Sequence, residues 1–183
     1  MDERPVGPGP TGIVNAVLRA ATEDDLDVML DWRNHPQVRK VSMTTHAIGV
    51  EEHRRWWNAV EKDPTRQVLI YSFRGVPAGV VTFSDHDVAT GTATWGFYLD
   101  TAGLDERDEL LRAWMELERE AIGYAFDVLK LKTLGGATLA WNQQVLALHR
   151  RFGFAETRRY AQEVDGVTQE VVWTELSAGA RRR

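Results

Sequence analysis

Two rhythms of hydrophobic and polar positions run along the chain. Alternation with period two marks Gln67–Phe73, Val76–Ser84 and Thr92–Leu99 as strands, and Arg74-Gly75 and Thr90-Gly91 supply the turns of an antiparallel meander. Thr133–Ala140 predicts a further strand. Ala155–Val164 and Thr168–Leu176 close the chain as a hairpin on Asp165-Gly166, and a short first strand covers Ala16–Ala20. A helical period takes over elsewhere. Thr22 with Asp25 three residues on forms a capping-box variant before a helix that carries Leu26, Met29, Leu30 and Arg33 on one face. Val50–Lys62 places His53, Trp56, Trp57 and Val60 together. The longest helix, Asp105–Leu129, repeats Leu110, Trp114, Leu117, Ala121, Ala125 and Val128, and Gln143–Arg151 is a short one. The order β-α-α-β-β-β-α-β-α-β-β predicts an α/β (α+β) fold: a mixed, mostly antiparallel sheet of about seven strands with helices on both faces.

Residues 1–15 are expected to be a disordered leader, 16–176 one domain, and 177–183 a disordered basic tail. A length of 183 residues suits one domain. The net charge of −5 argues against nucleic acid as a partner, because phosphate recognition needs a basic surface. The absence of Cys excludes disulfides, thiol catalysis and thiolate metal sites. No apolar run approaches the ~20 residues that span a bilayer, and no signal-peptide pattern opens the chain, so a cytoplasmic protein is expected. Asp85, His86 and Asp87 lack further ligands at metal-site spacing, and no metal is expected.

Three local signatures accompany this element order. Asn142 opens a segment that runs through Leu148 and His149 to Phe152-Gly153-Phe154. Trp32, Arg33, Asn34, Pro36, Val38 and Arg39 are followed by Glu52-His53. Trp95-Gly96-Phe97-Tyr98-Leu99 lies on the fourth strand. From Val17 to Leu176 the chain resembles the GNAT acetyltransferase superfamily. The second and third signatures are similar to its nucleotide-linked amino-sugar N-acetyltransferases of the pseudaminic-acid type, with ribosomal-protein N-terminal acetyltransferases as the neighbouring branch.

The resemblance implies acetyl-CoA, or another acyl-CoA, as co-substrate and a small-molecule amine as acceptor. Gly96, Phe97, Tyr98 and Leu99 would hold the pantetheine arm between splayed fourth and fifth strands, with Asn142 beyond them. His149 stands where many members carry a tyrosine that protonates the leaving thiolate, a task imidazole can perform. Its other reading is a packed helix-end histidine. Arg33 and His53 would hold a nucleotide-linked amino sugar, a guanidinium suiting a diphosphate. Trp32, Trp57 and Asp85 are further acceptor candidates, and His86 a candidate base. Trp56 and Trp57 also read as core, and Arg33 as a surface ion pair. Pairing through the C-terminal hairpin would give a homodimer.

One element departs from the family pattern. Counted back from Tyr124-Ala125-Phe126, the glycines that cradle the CoA diphosphate fall on Leu110, Arg112 and Trp114. Asp105, Glu106, Asp108 and Glu109 crowd that helix start and would repel a diphosphate. Two readings stay open. Either the diphosphate shifts toward Arg107, Arg112 or Arg150, or ordinary CoA binding is lost and the donor is an acyl carrier protein. In the second case a non-catalytic binding or dimerisation module is the further possibility.

Overall fold

A computed structural model describes residues 17–181. The strands are β1 (Leu18–Ala20), β2 (Gln67–Phe73), β3 (Val76–Asp87), β4 (Thr92–Leu99), β5 (Thr133–Leu139), β6 (Ala155–Val164) and β7 (Val167–Ser177). They form one seven-stranded sheet in the order β1-β2-β3-β4-β5-β7-β6. Every neighbouring pair is antiparallel except β4 and β5. The helices are α1 (Leu26–Asn34), α2 (Pro36–Lys40), α3 (Val50–Val60), α4 (Thr101–Glu106), α5 (Leu110–Gly123) and α6 (Gln143–Phe152). The mixed α/β fold expected from the sequence is therefore present.

Strand alternation divides the core. Leu69, Tyr71, Phe73, Val81 and Phe83 face α4 and α5, meeting Leu104, Ala113, Leu117 and Ala121. Val68, Ile70 and Val80 point to the opposite face, where Met29 and Trp32 of α1 and Trp57 and Val60 of α3 cover them. The Tyr71 hydroxyl donates to the Ala113 carbonyl at 3.0 Å, so the sheet also holds α5 through a polar contact. Two adjacent glycines let bulky rings cross β5. A Cβ on Gly135 would lie 2.5 Å from Trp173, and one on Gly136 would lie 3.1 Å from Trp95.

The local departures have physical causes. The expected single helix over 105–129 is broken at Arg107–Glu109, where Asp108 has φ 54 and stops α4. At its far end Tyr124–Val128 winds as a π turn. The wider turn rotates the register, and Val128, expected on the buried face, is 59% exposed. Pro36 starts α2 at its first helical position and divides what reads as one helix from 22 onward. The leader 1–15 lies outside the described residues. The tail is corrected in part: Ala178–Ala180 form a 3-10 turn and Arg181 pairs with Asp127 at 2.7 Å.

Candidate active site

β4 and β5 run parallel and pair only at Thr92–Thr94 with Thr133–Gly135. Beyond that point they no longer pair, and the Trp95 ring packs against Gly136. The β4 backbone from Trp95 to Leu99 thus has no strand partner on its β5 side. A cleft of about 990 Å³ opens there, walled by Gly96–Leu99, Gly136–Thr138, Asn142 and His149. Gly96 is not demanded by packing within the chain. A Cβ there would meet only the Thr82 hydroxyl, at an ordinary 3.6 Å. A glycine with open space before it suits close approach of a ligand to the strand backbone.

The cleft continues to a second set of walls from α1, α2, α3 and the 41–48 loop. The Trp32–Arg39 signature builds this end. Asn34 clamps Ile48 in both directions, donating to its carbonyl and accepting from its N–H, each at 2.8 Å. Arg39 Nε donates to Thr45 O at 2.8 Å, and the Asp165 carboxylate accepts from Thr45 N–H at 2.6 Å. The loop is therefore pinned from α1, α2 and the β6–β7 turn. Arg33 Nη2 donates to Thr44 O at 3.0 Å, while its Nη1 is buried without a partner. Burial lowers its pKa, and Tyr98 lies close enough to interact with it electrostatically. His53 stacks on Trp56 with centroids 5.1 Å apart, and burial lowers its pKa, so the imidazole is neutral at pH 7.

At the base of the cleft His149 is only 3% exposed. Trp95 and Phe154 flank its ring at 5.5 and 4.9 Å. Nδ1 lies 3.2 Å from Thr174 Oγ1. Nε2 has no hydrogen-bond partner and faces Glu118 Oε1 at 3.5 Å. Asn142 caps α6 by accepting from Val145 N–H, and Gly153, in the left-handed region at φ 98, ends that helix. These two caps hold His149 in register on a helix of only three turns.

The structure thus brings together Arg33, His53, Gly96, Phe97, Tyr98, Leu99, Asn142 and His149. It leaves others out. Asp85 and His86 sit where β3 meets the start of β4, the paired end of the sheet, away from the open end of the cleft. The His86 N–H donates to Thr65 O, and Asp85 occupies a bulge at φ 52. Trp32 and Trp57 are core residues, 7% and 6% exposed, and Trp56 is the tryptophan of α3 that lines the cleft. Arg107 is engaged with Glu109 at 3.0 Å, and Arg112 and Arg150 are exposed outside the cleft wall. Glu109, at the N-terminus of α5, also takes Arg74 at 2.8 Å, so carboxylate and guanidinium groups of the chain itself occupy the helix start. Met43, Trp141 and above all Glu118 were not legible as site residues. Glu118 and His149 are far apart in sequence, and only α5 packing against α6 brings them together.

Among the described residues no group of three or more His, Cys, Asp or Glu side chains is placed to hold a metal. No helix among them is long and apolar enough to cross a membrane. The family model of the acetyltransferase (GNAT) domain matches residues 15–155. The chain belongs to the GNAT acetyltransferase family. It is an N-acetyltransferase, as the resemblance implied. Among curated proteins, acetyltransferase PseH of Campylobacter jejuni subsp. jejuni is similar in two strains. In strain 81-176 it is 26% identical over 130 residues, 71% of this chain and 76% of the relative. In strain NCTC 11168 the identity is 26% over 132 residues. The GNAT fold is shared with spermidine N-acetyltransferase from Vibrio cholerae in complex with CoA and spermine. The TM-score is 0.74 at 16% identity, covering 89% of this chain and 95% of that one. A putative phosphinothricin N-acetyltransferase superposes with a TM-score of 0.68 at 20% identity, covering 87% and 96%.

Proposed function

We propose that this GNAT enzyme moves an acetyl group from coenzyme A to the primary amine of a nucleotide-linked amino sugar. One observation carries the choice of acceptor: Arg33 lines the acceptor end of the cleft with a buried, unpartnered Nη1. An unpaired buried guanidinium nitrogen is costly unless an anion completes it, and a diphosphate does so with charge-assisted bonds. Neutral His53 stacked on Trp56 supplies a flat surface beside it for a base or sugar. The similarity to PseH supports this branch. A polyamine fits poorly, since Arg33 and Lys40 are cations of the cleft wall and its acid, Glu52, is held by His46 at 3.0 Å.

In this reading the pantetheine arm lies in the opening between β4 and β5, bonded to the unpaired β4 backbone. An N–H of that edge would polarise the thioester carbonyl. The neutral amine attacks the carbonyl carbon, the N–C bond forms, the C–S bond breaks, the nitrogen loses one proton to water, and the thiolate takes one on the His149 side. The Glu109 contacts favour a second reading of the donor. A helix start filled by Glu109, Arg74 and Arg107 suits an acyl-carrier pantetheine, which brings no adenosine diphosphate.

Calorimetric titration of uridine diphosphate tests the acceptor. Binding is expected in the wild type, with Arg33→Ala weakening it about tenfold or more. Equal binding by both proteins would remove Arg33 from the acceptor site.

A further inference from the structure

Glu118 has no explanation in the reading above. It sits on α5 with its carboxyl group fully buried, and neither oxygen has a hydrogen-bond partner. Buried polar groups are almost always paired, so an orphaned acid marks a group that does something. Two other orphans lie beside it: His149 Nε2 at 3.5 Å, and the Trp114 indole N–H, which favours its charged form. A protonated carboxyl and an unprotonated imidazole nitrogen satisfy each other, whereas two unprotonated groups would repel. Nδ1, facing Thr174 Oγ1, is then the nitrogen that keeps its hydrogen.

We propose that Glu118 stores the proton that the leaving thiolate takes, delivering it through His149 Nε2. This rests on the reading of His149 as the group that meets the thiolate. Glu118 is a positioning and proton-supplying residue, since it acts through the imidazole and does not touch the substrate. As the C–S bond breaks, the Glu118 O–H bond breaks and an Nε2–H bond forms, giving carboxylate and imidazolium. The imidazolium then gives that proton to sulfur, and the ring returns to neutral. The amine loses one proton on becoming an amide, and Glu118 regains one from solvent, so the turnover balances.

The electrostatics agree with the geometry. Burial pushes Glu118 up to about 8, partly offset by the Trp114 indole N–H, and pushes His149 down to about 4. An isolated His149 would hold no transferable proton at neutral pH, and Glu118 does hold one. Thr174 of β7, Trp95 of β4 and Phe154 complete the surroundings. Among the described residues no other charged group from β4, β5, β7 or α6 shifts either member.

The test compares kcat against pH in wild type, Glu118→Gln, His149→Ala and the double variant. The carboxamide keeps the shape and an N–H toward Nε2 but carries no transferable proton. Glu118→Gln is expected to lower kcat on the order of 10²-fold with KM little changed, and to abolish the fall of kcat above pH about 8. The double variant should be no slower than His149→Ala, because the two act as one unit. A wild-type rate and pH profile in Glu118→Gln, with His149→Ala slow, would overturn the role of Glu118 and leave His149 standing. A wild-type rate in His149→Ala would overturn the reading of His149 and this route with it. Infrared spectroscopy gives a readout independent of turnover. A protonated carboxyl C=O stretch at neutral pH, lost in Glu118→Gln, is expected, and its absence in the wild type would overturn the store.

Discussion

At the scale of single residues, polar groups in this chain are either tied into the frame or left open in the cleft. Asp25 is the first kind. Its carboxylate accepts from Arg19 at 2.7 and 2.8 Å and from the Thr22 N–H at 2.8 Å. The Arg19 bond, with those from Thr22, holds its pKa below the usual carboxylate value. A depressed carboxylate contributes stability that is present above its unfolded pKa and is lost as pH falls through the folded one. Asp25→Ala should therefore cost about 1 kcal/mol at neutral pH, with the two proteins converging in acid. Urea midpoints across pH check this, and a constant difference would contradict it. Arg33 is the second kind. The capping role of Asp25 and the candidacy of Arg33 were readable locally, the first from spacing and the second from its signature. Glu118 was not, because a lone Glu on a helix reads as a solvated residue until the opposite helix is placed against it.

At the scale of elements, alternation and turn chemistry located β2, β4 and β6 to their ends, since Arg74-Gly75 and Asp165-Gly166 leave little freedom in register. Helix breaks were less legible. The stop at Arg107–Glu109 depends on Asp108 taking a positive φ, which its charged, helix-compatible neighbours do not announce. Asp85 and His86 looked like pocket residues because they follow a predicted strand end. β3 in fact continues to Asp87, so they lie on the closed side of the splay. Where the strands part, Gly135-Gly136 admits one tryptophan on each side, Trp173 against Gly135 and Trp95 against Gly136. Gly135→Ala would set a Cβ 2.5 Å from the Trp173 ring. That overpacking should cost about 1–3 kcal/mol, measured as a lower urea midpoint with unchanged slope. An unchanged midpoint would mean that the ring moves freely, and that β5 does not need the glycine.

At the scale of the whole molecule, the sheet contributes a cleft with two unlike ends. One is a pair of diverging strands with unpaired backbone, suited to an extended thioester arm. The other is a pinned loop with a buried guanidinium, suited to an anion. Family membership and the seven-stranded fold were legible in the sequence, because element order and local signatures agree. The donor's phosphate site was not. The glycines that would announce it are missing, and Glu109 with its two arginine partners stands at the helix start instead. We propose that both ends serve one reaction, acetyl transfer from CoA to an anionic amine. Release of free thiol from acetyl-CoA tests it most directly, followed with a nucleotide-linked amino sugar, the same sugar without its nucleotide, and spermidine. Rapid release is expected with the nucleotide-linked sugar, a far higher KM with the free sugar, and little turnover of spermidine. Preference for spermidine, or equal use of the free sugar, would contradict it.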